Sequence, residues 1–317
     1  MGDTARARRL GLGFLRLGLL GLGLLTAAPS WGQEAKPGAE TQVKFKTRHP
    51  LSSWAAQKKR IAYSKQQLAG MGEEPKAATS TFHVTLPRGY RAKGKKPYGL
   101  LIWISPDPLG RIPKSWRGEL RRKRLILVGP DEAGNAQPLP RRIALALDAL
   151  QGAVDSYRVD PARTYAIGFS GGGNVSAWLT LHFPDLFQGA VLMSGCDTYR
   201  PVPVPGRKGS FWRGSVAEPK PALLKLAKER VQVFFSGGSD PNAREQAEAV
   251  SALHRELGFR RVRLRIAPKY GHEPPRPDEL RKILALLEAP PTKPPTKPPA
   301  DKTGEAPASK PTSRPAR

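Results

Sequence analysis

Residues 79–289 predict an α/β domain, a mainly parallel central sheet with helices on both faces. Two observations carry this expectation. The short runs "TFHVTL", "YGLLIWIS", "RLILVGP", "TYAIGFS", "GAVLMSG", "VQVFFSG" and "VRLRIA" are rich in Val, Ile and aromatic residues. Several are apolar on consecutive positions, as strands covered on both faces must be. Between several of them lie helical patterns at about 141–156, 171–183, 218–230 and 242–257, with a closing one at 277–288. Strands alternating with helices of this length build parallel crossovers, which need a covering layer on each side of the sheet.

The two ends of the chain have other textures. Residues 1–32 carry Arg6, Arg8 and Arg9, then "LGLLGLGLLTAA", then small residues at Ala27, Ala28, Ser30 and Gly32, the three-part layout of a secretory signal peptide. That apolar run is 12 residues long, against roughly 20 needed to cross a bilayer. Cleavage after Ala28 or Gly32 and a secreted or periplasmic location are therefore expected, with an uncleaved membrane anchor as the alternative. Residues 33–78 are polar, with weak helical periodicity around "WAAQKKRIAYSKQQLAG", and predict an N-terminal extension that packs one helix on the main domain. Residues 290–317 repeat Pro-Pro-Thr-Lys and offer almost nothing apolar to bury, which predicts a disordered Pro/Lys-rich spacer.

Composition narrows the chemistry. The net charge of +27 falls to +24 without residues 1–32 and to +20 when residues 290–317 are removed as well. Such an excess allows contacts with anionic surfaces, weakened by salt. The arginines are scattered except for "RRKR" at 121–124, and no nucleic-acid-binding motif accompanies them, so no specific nucleic acid partner is expected. A single cysteine, Cys196, excludes an intramolecular disulfide. The five histidines, at 49, 83, 182, 254 and 272, fall in no zinc-ligand spacing, and no structural metal is expected.

In sheets of this kind reactive groups gather at the carboxyl ends of the strands. After "TYAI" comes Gly168-Phe169-Ser170-Gly171-Gly172, a G-x-S-x-G pattern between a strand and a helix. A sharp turn there exposes the serine, and glycines two residues to either side let neighbouring backbone approach. The loop lacks the Lys-Ser/Thr of a P-loop and the spacing of a dinucleotide loop, so no cofactor is expected. A serine hydroxyl needs a base, and the base needs an orienting acid. Asp240 follows "VQVFFSGGS" and His272 follows "VRLRIAPKYG", each just past a predicted strand. The order Ser170, Asp240, His272 is the one that G-x-S-x-G hydrolases use. Each residue also has a plainer reading: Asp240 as a helix N-cap, His272 as an exposed loop histidine, Ser170 as a small residue in a glycine loop.

The stretch "YRVDPARTYAIGFSGGGNVSAWLTLHFPDLFQGAVLMSGC" resembles the corresponding part of α/β-hydrolase esterases of the polyhydroxybutyrate depolymerase and feruloyl esterase type. "FFSGGSDPN" and "YGHE" resemble the acid and histidine loops of that group and of the related phospholipase/carboxylesterases. The resemblance implies the α/β-hydrolase fold and hydrolysis of a small-molecule or polymeric ester through an acyl-serine. One position departs from it. Such enzymes carry His-Gly after the strand that here reads "YGLLIWIS", whereas this chain has Ser105-Pro106-Asp107. Pro106 has no N–H, so the expected oxyanion donors are Gly171 and Asp107. Losing one such donor costs about 10²–10³ in rate, which keeps a non-catalytic binding protein of the same fold in view, alongside a peptidase with the same triad. Substrate choice is assigned to loops 105–119 and 197–217. In the second, Tyr199, Phe211 and Trp212 form either an aromatic rim or a packed surface loop. Cys196 reads as a small core residue rather than a second nucleophile.

Overall fold

The computed structural model describes residues 35–212 and 214–290; the export signal expected over 1–32 and the tail beyond residue 290 lie outside them. Each strand expected from the apolar runs forms. In chain order the strands are β1 (Glu40–Val43), β2 (Phe82–Thr85), β3 (Tyr98–Ile104), β4 (Leu125–Pro130), β5 (Val159–Phe169), β6 (Gly189–Met193), β7 (Val202–Pro203), β8 (Phe211–Trp212), β9 (Val231–Gly237) and β10 (Arg261–Ala267). The helices are α1 (Trp54–Arg60), α2 (Lys65–Ala69), α3 (Arg117–Lys123), α4 (Leu139–Ser156), α5 (Gly171–His182), α6 (Pro221–Ala227), α7 (Pro241–Glu256) and α8 (Pro277–Glu288).

Eight strands form one sheet in the order β1-β2-β4-β3-β5-β6-β9-β10. The pairs β1–β2 and β2–β4 are antiparallel, and every later pair is parallel. Strands β7 and β8 make a separate small hairpin. The side-chain period of two divides each central strand between two cores. Along β3, Leu100, Ile102 and Ile104 enter one cluster and Leu101 and Trp103 the other. The first cluster is closed by Ile143 and Leu147 of α4, Val175 and Leu179 of α5 and Val250 of α7. The second is closed by Leu120 of α3 and by Leu280, Ile283, Leu284 and Leu287 of α8.

The sheet begins upstream of residue 79. Glu40–Val43, expected to lie in an extension, pairs with β2 as the edge strand, with Thr41 opposite Val84. Four residues with one side chain fully buried are too short to show a strand period. The helix expected around residue 60 is two helices, separated because Ser64 starts a new one through a reciprocal capping box with Gln67. Helix α3 was also missing from the pattern, since "RGELRRK" reads as a charge run and buries only Glu119 and Leu120. Arg122 and Arg281 both bond the Glu119 carboxylate, which explains how a charged residue can face the core there. Among the described residues no helix is long and apolar enough to cross a membrane.

Candidate active site

Strands β3, β5, β6, β9 and β10 run parallel, so the loops leaving their carboxyl ends meet at one edge. Ser170 is the residue between β5 and α5, with φ 54° and ψ −125°, a region that non-glycine residues rarely occupy. Its N–H donates to the Met193 carbonyl at 2.7 Å, tying the turn to the end of β6. The glycines make the turn sterically possible. A Cβ at Gly168 would overlap the Gly172 carbonyl, and one at Gly172 would overlap the Ile104 carbonyl at the end of β3. The Gly173 N–H donates to the Ser170 carbonyl at 2.9 Å, which leaves the N–H groups of Gly171 and Gly172 at the positive dipole end of α5.

The structure brings the three separated residues together. His272 Nε2 lies 3.0 Å from Ser170 Oγ, and His272 Nδ1 lies 2.6 Å from Asp240 Oδ2. In the tautomer that satisfies both contacts, Nδ1–H donates to the carboxylate and Nε2 accepts from the hydroxyl. Asp240 also performs the plainer task considered for it, since its other oxygen accepts the Ala243 N–H at 3.3 Å and caps α7. One carboxylate thus fixes a helix start and a histidine ring. The Phe169 ring packs against the imidazole at a centroid distance of 5.0 Å. The His272 side chain is 50% exposed while that of Asp240 is 13% exposed, so the carboxylate is shielded and the imidazole faces solvent.

The oxyanion side differs from the expectation. Gly171 begins α5 directly after Ser170, as expected for a donor. The Asp107 N–H, the expected second donor, already donates to Ser105 Oγ at 3.0 Å. A hydroxyl two residues back captures that N–H in a local turn. Another polar group stands nearby. The Asn135 side chain lies so close to Gly171 that a Cβ there would overlap Oδ1 and sit 3.2 Å from Nδ2. Asn135 is exposed, and its N–H donates to the Pro106 carbonyl at 2.8 Å, which straps the loop after β4 to the loop after β3. Buried Arg142 completes the strap, donating from Nε to the Ala133 carbonyl at 2.7 Å and more weakly to the Ser105 carbonyl at 3.3 Å. Burial lowers the pKa of that guanidinium to about 10, so it remains charged at neutral pH.

Nothing in the sequence around Asn135 marks it, because its approach to Gly171 depends on how two distant loops stack. The glycine after Ser170 was the available clue, since that position must leave room for a neighbour.

Cys196 is buried, and burial raises its thiol pKa far above the usual range, with Asp197 adding to the effect. It is a packed thiol. In the loop after β6, Val202 and Val216 are buried in the first core cluster, Tyr199 and Trp212 pack against it, and Phe211 is exposed. The loop is anchored further by Thr198, whose hydroxyl lies 3.1 Å from His254 Nε2. Among the described residues no group of three or more His, Cys, Asp or Glu is arranged to hold a metal ion.

The strand order, the antiparallel second strand and the strained serine turn after the fifth strand are those of the α/β-hydrolase fold. Solved structures of that kind are similar to this chain. A fluorophosphonate-binding serine hydrolase of Staphylococcus aureus matches with TM-score 0.49 and 12% identity over 80% of this chain and 100% of its own. A ferulic acid esterase matches with TM-score 0.48 and 16% identity over 72% and 95%. Dipeptidyl peptidase 4 of Porphyromonas gingivalis matches with TM-score 0.45 and 16% identity over 66% of this chain, which spans only 33% of that protein. The chain matches no protein-family model and no curated protein sequence.

Proposed function

We propose that this protein is an exported serine hydrolase that cleaves carboxylic esters through an acyl-serine intermediate. The observation that carries the reading is the hydrogen-bonded line Asp240–His272–Ser170 ending on a strained, glycine-flanked turn. His272 takes the hydroxyl proton as Ser170 Oγ attacks the ester carbonyl, and Asp240 stabilises the imidazolium that results. The carbonyl oxygen becomes an anion beside the start of α5, where the Gly171 N–H meets it. The second donor in this scheme is the Asn135 amide. Turned about its last bond, that group presents Nδ2 in the space that Oδ1 occupies, an exchange with little steric consequence. His272 then returns the proton to the leaving alcohol, and water, deprotonated by the same histidine, releases the acyl group.

The half-exposed His272 is compatible with a bulky or polymeric ester as well as a small one. Replacing Ser170 with Ala is expected to abolish hydrolysis of a short p-nitrophenyl ester while the thermal midpoint stays within a few degrees. Turnover equal to wild type would remove the assignment. A peptidase acting through the same triad is separated by kcat/KM for matched ester and amide substrates. Export is read from residues 1–32. N-terminal sequencing of the mature protein should begin after Ala28 or Gly32; an intact Met1 in the exported fraction would contradict cleavage.

A further inference from the structure

The basic residues of 117–124 divide into those that the fold uses and those that it does not. Arg122 pairs with Glu119, Lys123 with Glu288, and Arg124 stacks on Tyr98 and donates to the Lys96 carbonyl. Arg117 and Arg121 remain. They stand one turn apart on α3, where like charges repel, and among the described residues neither meets a carboxylate. With Arg88, just past β2, they line a cleft of about 300 Å3 whose other walls include Gly38, Thr85 and Gly118.

Two polar atoms in that wall are buried without a hydrogen-bond partner, Thr85 Oγ1 and Arg117 Nε. Thr85 is 2% exposed, so bulk water does not compensate its hydroxyl. The cleft is also remote from the triad edge. β2 runs antiparallel to β4, and Thr85 pairs with Leu127 toward the amino end of β4, whereas Phe82 pairs with Pro130 at its carboxyl end.

We propose that this cleft binds a phosphate monoester, with the phosphoryl group held by the guanidiniums of Arg88, Arg117 and Arg121, beside the unpaired Thr85 hydroxyl. A carboxylate would bring one charge and two oxygens. A phosphate monoester brings nearly two charges and three terminal oxygens at neutral pH, a better match to three guanidiniums. The volume lies at the lower end of the roughly 300–1,000 Å3 usual for ligand pockets, so the organic part of an ester has space beside the phosphoryl group. Gly118 leaves the wall open there, since a Cβ on it would meet nothing within 4 Å.

The test is calorimetric titration of the full chain with inorganic phosphate, glycerol 1-phosphate and acetate at constant ionic strength. Saturable one-site binding of both phosphates is expected, with acetate at least about tenfold weaker. Arg117→Gln and the exposed Arg121→Gln should each weaken phosphate about tenfold or more, or about 1.4 kcal/mol per tenfold change. Lys208→Gln, on the turn between β7 and β8, and Ser170→Ala should stay within twofold of wild type. Vesicles of phosphatidylcholine with phosphatidic acid identify the source. Soluble binding without vesicle binding assigns a free ester, and soluble binding together with Arg117-dependent vesicle binding assigns a lipid headgroup. The proposal is overturned by an absence of saturable phosphate binding, by vesicle binding alone, or by Lys208→Gln weakening phosphate as much as Arg117→Gln does.

Discussion

Ser170 holds a positive φ because its surroundings leave the turn no other path, and that constraint belongs to its neighbours. Gly172→Ala is expected to destabilise the fold by about 1–3 kcal/mol or more, measured by chemical denaturation, because the new Cβ meets the Ile104 carbonyl. Asn135→Ala is expected to lower kcat about 10²–10³-fold with little change in KM, the signature of a contact made mainly in the transition state. Ser105→Ala frees the Asp107 N–H; kcat within twofold of wild type is expected, and a tenfold gain would return the donor role to Asp107. The G-x-S-x-G pattern, the acid and the histidine were legible in the sequence because each sits next to a strand end. Asn135 was not, because its place against Gly171 comes from the Arg142 and Pro106 straps between separate loops.

At the level of elements, strands were legible where both faces are apolar, as in β3, whose residues are all buried. Elements that depend on pairing or on charge were hidden. β1 exists through its hydrogen bonds to β2, and α3 through Glu119 and its two arginines. Ion pairing also sets an acid limit on α8. Hydrogen bonding from Arg265, with help from Lys282, lowers the Glu279 pKa from 4.5 to about 2 despite the opposing effect of burial. The unfolded chain therefore takes up this proton first, and stability is lost as pH falls from about 4.5 to about 2. In α5, burial lowers His182 from 6.5 to about 4, and Arg60 nearby acts in the same direction. Its unfolded form protonates first as well, so a separate loss begins below about pH 6.5 and is complete near pH 4. Thermal midpoints measured from pH 7.5 to 2.5 should fall in both windows. Glu279→Gln should flatten only the lower one; an unchanged profile would contradict the ion-pair account.

For the molecule as a whole, the texture change near residue 80 suggested where a domain starts, but the core crosses it. Phe45, Ile61, Tyr63 and Met71 all lie in the principal cluster, each worth on the order of 1.5–3 kcal/mol when buried. A chain beginning at residue 79 should therefore be insoluble or melt far below the longer one, and an equally stable truncation would show that the segment is only appended. Composition hid this, since the buried residues of 35–78 are spaced too irregularly to form a periodic pattern. The proposed function requires Ser170 to be a nucleophile. Its most direct test is reaction of the folded protein with a fluorophosphonate probe, with the adduct located by mass spectrometry. A single adduct on Ser170 is expected, lost in Ser170→Ala and strongly slowed in His272→Ala. An unlabelled Ser170 in protein that melts cooperatively would contradict it.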